Sequence, residues 1–167
     1  MSALKGAFAA LARLTVFIAA VSLCGLVVVL AWQVFGRYVL NNSPSWTEPV
    51  ALTLMGIAAL FGAAIAVRAE SHFAFPTLVE SSPAPIRALL KTFGRLIEFG
   101  FGLALAWFGG FLIADAWNVP MAGAPFPEGV ANIGVCVGGA LIAIFALERL
   151  IFGDAPDPHG APTTQEP

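Results

Sequence analysis

The residues able to do chemistry are few, and their spacing is unhelpful to catalysis. Cys24 and Cys136 allow at most one disulfide and cannot build a thiolate zinc cage. Both fall in long apolar stretches, where a free cysteine acts as a small hydrophobe. His72 and His159 stand in polar surroundings, with no HExxH pattern. A b-type haem between helices needs axial histidines inside the apolar stretches, and a proton or ion pump normally carries a carboxylate or cation there. The sequence reads as having no Asp, Glu, His or Lys within those stretches. No enzyme, cofactor or metal function follows.

The remaining candidates are structural. Arg37 and Glu48 flank the turn Asn41-Asn42-Ser43-Pro44 and could pair or simply reach the interface. Ser45 or Thr47 could cap a following helix, with Glu48 near its positive end. Small residues recur every fourth position in Ala58, Gly62 and Ala66, and in Gly102, Ala106, Gly110 and Ala114. Gly134 and Gly138 form a GxxxG. Such ridges let helices approach closely in lipid, within this chain or against another.

The elements that carry these residues follow from composition. Of 167 residues 59% are hydrophobic and 11% charged, against about 25% charged in an ordinary soluble domain. Mean hydropathy is +0.87. A soluble domain of this size leaves roughly a third of its chain's surface in water, so the solvent here is lipid. The net charge of −2 gives no footprint for nucleic acid.

Charges leave four gaps: 23 residues after Arg13, 19 after Glu48, 16 after Glu98 and 19 after Glu128. A hydrocarbon core of about 30 Å needs about 20 helical residues. The gaps predict an all-α membrane domain over residues 1–152, with four transmembrane helices near 14–36, 50–68, 95–116 and 129–149. The first is too long for a signal-peptide core and lacks a cleavage site, so it is read as retained. No segment alternates polar and apolar residues as a barrel strand would.

With both termini cytoplasmic, seven of the eight basic residues lie inside and only Arg37 outside. Trp46 and Trp117 then fall at the outer interface. Ser81-Ser82-Pro83-Ala84-Pro85 is a helix-start signal. Ile86, Leu89, Leu90, Phe93, Leu96 and Ile97 follow on one face, and Arg87, Lys91 and Arg95 on another. The pattern predicts an amphipathic helix at the cytoplasmic lipid interface, running into the third span and lying on lipid or docking against a partner protein. Residues 153–167, with four prolines and three acids, predict a disordered tail.

One segment is more specific. Arg37, Tyr38, Asn41, Pro44, Trp46, Thr47, Glu48, Gly62, Ala63, Arg68 and His72 stand in an ordered series over 36 residues. This series resembles the DctQ-like small permease subunit of the tripartite ATP-independent periplasmic (TRAP) transporters of bacteria and archaea. The Pro-rich stretch Val119 to Gly129 is similar too. Pro49 departs from the family, which often has a second acidic residue there.

The resemblance implies a bacterial inner-membrane subunit with no solute path of its own. Its partners would be a large sodium-coupled permease subunit that moves as an elevator and a soluble periplasmic protein that delivers an organic acid. The small subunit would scaffold the moving one, with Arg37, Tyr38, Trp46, Glu48, Arg68 and His72 serving structure or the subunit interface. The competing readings are a homo-oligomeric small channel or exporter and the membrane anchor of a redox complex.

Overall fold

The computed structural model describes residues 2–42, 44–69 and 84–152. Four helices account for almost all of them: α1 (Ser2–Tyr38), α2 (Thr47–Arg68), α3 (Ala84–Ala116) and α4 (Gly129–Phe152). Each is long and apolar enough to cross a membrane. All four expected spans are present, and each helix runs past the charge-free gap that announced it. α1 begins twelve residues before the expected span, because nothing in Ser2–Arg13 breaks a helix. α3 continues without interruption from Ala84, so the expected interfacial helix and third span are one 33-residue rod. The expected tail and His72 lie outside the described residues.

The helices pack in a row. α1 lies on α2, α2 on α4, and α4 on α3, while the other pairings are slight. The reason lies in where close approach is possible. An added Cβ at Gly138 would stand 2.6 Å from Leu60 Cβ, and one at Gly134 2.8 Å from Ile57 Cγ1, so the GxxxG face of α4 holds α2. A Cβ at Gly139 would meet Ala106 N at 2.6 Å, and one at Gly102 would meet Ala143 N at 2.5 Å, so the next face of α4 holds α3. α4 has small residues on two faces and therefore takes two neighbours.

Burial follows the same order. In the most apolar stretch of α4, 44% of residues are buried, against 11% in α1 and 17% in α3. The core gathers Phe61, Ala64, Val67, Leu141, Ile142, Phe145 and Ala146, toward one end of α2 and α4. In lipid, exposed apolar side chains such as Phe17, Trp107 and Phe111 cost nothing; they face a solvent as apolar as themselves.

The ends are ordered by chain direction. Phe8 of α1 meets Phe152 of α4 edge-on, with ring centroids 6.3 Å apart. Arg68 ends α2 beside Glu148 of α4, and Arg95 of α3 reaches the Arg149 carbonyl at 3.3 Å. Arg68, Arg95 and Arg149 thus share one end of the molecule, the end toward which the first turns of α1 run.

Candidate functional site: a charged clamp and an outer turn

The basic end holds a cross-helix clamp. Arg68, in the last turn of α2, donates through Nε to Glu148 Oε2 at 2.9 Å and through Nη2 to Glu148 Oε1 at 3.1 Å. This two-pronged geometry matches a planar guanidinium to a carboxylate. The next residue on α4 answers in the other direction. Arg149 donates through Nε to the Arg68 carbonyl at 2.7 Å, and its Nη2 contacts the same oxygen. The last carbonyls of a helix have no partner of their own, and a nearby arginine satisfies them while complementing the negative end of the dipole. Arg95 completes the chain on α3 by donating to the Arg149 carbonyl. Arg68 also stands 5.7 Å from the ring of buried Phe145.

This clamp corrects one expectation. The spans are not free of carboxylates. Glu98 of α3 and Glu148 of α4 lie within the spans expected at 95–116 and 129–149, and both are buried at 8% exposure. The charge-free gaps are shorter than the spans they announce, so the span boundaries at 95 and 149 take in the charges that flank the gaps. Glu98 and Glu148 sit toward the end of the molecule that carries Arg68, Arg95 and Arg149, and Asp115 toward the other end of α3.

Of the motif residues, Arg68 is the one placed in this clamp. Gly134 and Gly138 hold the α2–α4 contact. Gly62 does not: a Cβ there would have nothing within 4 Å. It faces a groove between α1 and α2. In α3 the close-packed ridge runs through Gly102, Ala106 and Gly109, where an added Cβ would stand 2.7 Å from Cys136 N, while Gly110 makes only ordinary contact at 3.9 Å. Lys91 and Arg95 lie on α3 at the basic end; the Arg87 side chain lies outside the described residues, as does His72.

The other motif residues that the structure describes form the turn between α1 and α2. Asn41 has φ +51°, a left-handed conformation that asparagine tolerates, and Asn42 N–H donates to Gly36 O at 3.0 Å to close α1. Neither suggested cap is made. Thr47 is fully buried and donates from its hydroxyl to Pro44 O at 2.8 Å. Ser45 donates to Gly123 O at 3.2 Å, tying the α1–α2 loop to the α3–α4 loop. Trp46 takes the N-cap position without a side-chain hydrogen bond. Arg37, Tyr38 and Glu48 are exposed, and Arg37 and Glu48 form no ion pair with each other.

The family model for the DctQ component of tripartite ATP-independent periplasmic transporters matches residues 26–153. The chain belongs to this family. The TRAP small permease is thus a multi-pass inner-membrane protein and a transporter subunit, not an enzyme. It is 30% identical over 88 residues to the sialic acid TRAP transporter small permease protein SiaQ of Vibrio cholerae serotype O1. That match covers 47% of this chain and about half, 51%, of the relative. Among the described residues of the TRAP small permease, no group of His, Cys, Asp and Glu is placed to hold a metal ion.

Proposed function

We propose that this subunit scaffolds a large, sodium-coupled TRAP permease subunit for uptake of an organic acid delivered by a periplasmic binding protein. The Vibrio relative is named for sialic acid, a carboxylate, and this supports an organic acid as the class of cargo. The observation that carries the reading is the open row of helices. Four helices side by side present two broad apolar faces and bury little of α1 and α3. Such a slab widens the membrane footprint of whatever it binds. At the basic end Arg68 is held by Glu148 and Arg149 by the last carbonyl of α2. The groove between α1 and α2 is apolar throughout, unsuited to an ionised solute.

Both termini lie in the cytoplasm in this reading. The clustering of Arg13, Arg68, Arg95 and Arg149 at one end supports it through the positive-inside rule. Arg37, Tyr38, Trp46 and Glu48 are then outer-interface residues, free in this chain to meet the large subunit.

Native mass measurement of the complex purified through a tag on this chain tests the proposal. A heteromer with a much larger membrane protein is expected. Assemblies of identical small subunits only would overturn it in favour of a self-contained channel.

A further inference from the structure

We infer that the groove between α1 and α2 holds one acyl chain of an anionic phospholipid, with the lipid phosphate at Arg13. The groove has a volume of about 560 Å³ and is open to the side. Its walls come from Val16, Ala20 and Leu23 on α1 and from Met55, Ala59 and Gly62 on α2, among other apolar residues. No polar side chain lines it, so water gains no partners there. Gly62 keeps it wide, since nothing lies within 4 Å of where its Cβ would stand.

Size selects the occupant. The wall of α1 runs from Val16 to Leu26, about 15 Å at 1.5 Å per residue. That is half of a hydrocarbon core of about 30 Å, the depth of one leaflet. A single extended hydrocarbon chain suits that length.

Charge selects the headgroup. Arg13 precedes Val16, Ala20 and Leu23 at helical spacings that put all four on one face of α1. It lies one turn beyond the groove, at the basic end of the molecule. Its side chain is exposed and bends toward the N-terminus of α1, with Nε 3.5 Å from Ala9 O. Among the described residues it has no carboxylate partner. A guanidinium at the mouth of an acyl-chain groove, at headgroup depth, matches a phosphate. Anionic lipids are the ones a basic surface gathers.

The test uses the full chain alone in mixed micelles, with phosphatidylglycerol and phosphatidylcholine as probes and native mass spectrometry as readout. One phosphatidylglycerol should remain bound per chain after delipidation. Gly62→Phe should abolish retention with helical content unchanged; Ala20→Phe, from the opposite wall, serves if the first variant does not fold. Arg13→Gln should reduce the preference for phosphatidylglycerol over phosphatidylcholine roughly tenfold. Unchanged retention in the groove-filling variant, an unchanged preference in Arg13→Gln, or no lipid on the wild-type chain would each overturn the inference. The last result would leave the groove to a partner's side chains.

Discussion

Arg68 and Glu148 stand 80 residues apart in sequence and meet in a two-pronged ion pair at 2.9 and 3.1 Å, where α2 ends and α4 nears its end. The glutamate side chain is 11% exposed and the arginine 25%. Removing one partner of a buried pair costs about 3–5 kcal/mol, because the other is left uncompensated. The partial exposure of Arg68 puts this pair at the lower end. Glu148→Ala should therefore lower the thermal midpoint of the detergent-solubilised chain sharply, while Arg68→Ala/Glu148→Leu together should recover part of it. Two single variants as stable as wild type would show that the pair holds nothing.

Close packing at α4 predicts a graded glycine series. Gly138→Ala would bring a Cβ to 2.6 Å from Leu60 Cβ, and Gly102→Ala one to 2.5 Å from the Ala143 backbone nitrogen. Overpacking costs typically about 1–3 kcal/mol. The cost should be greater at Gly102, where backbone rather than a side chain must move. Gly62→Ala meets open space and should be neutral or slightly stabilising, through the better helix propensity of alanine. Thermal denaturation of the three variants in one detergent checks the order.

Much of this architecture was legible in the sequence. Four charge-free gaps announced four helices, and the Ser81 to Pro85 signal placed the start of α3 close to Ala84. The order of the row was not legible. It depends on α4 offering small residues on two faces, Gly134 and Gly138 toward α2 and Gly139 toward α3, and spacing alone does not say which face meets which neighbour. The clamp was half legible: the motif marked Arg68, but no local pattern joins it to Glu148 across 80 residues. Gly62 carried the same small-residue signal as Gly138 yet borders a groove, because a small residue permits close approach without requiring it.

The α3–α4 loop should be sensitive at one position. Gly123 has φ +84°, and a Cβ there would stand 2.6 Å from Ser45 O. Gly123→Ala is therefore strained by both conformation and space. It should detach the α1–α2 and α3–α4 loops from each other, with faster proteolysis between Val119 and Gly129. Ser45→Ala, which removes only the 3.2 Å hydrogen bond to Gly123 O, should cost about 0.5–1.5 kcal/mol.

Arg37 and Glu48 make a contrasting case. Both are exposed and not paired with each other. Charge reversal at either should leave the isolated chain within about 0.5 kcal/mol of wild type. If the outer turn meets the large subunit, the same reversals should lower co-purification of that subunit, and the double swap should not restore it. Rescue by the double swap would mean that the two residues pair in the assembled complex.

The scaffold account is tested most directly in vesicles. The small chain reconstituted alone, under an inward sodium gradient and with a panel of radiolabelled organic acids that includes sialic acid, should take up nothing. Adding the large subunit and the periplasmic binding protein should give uptake that needs the sodium gradient and no ATP. Gradient-driven solute flux through the small chain alone would contradict the account.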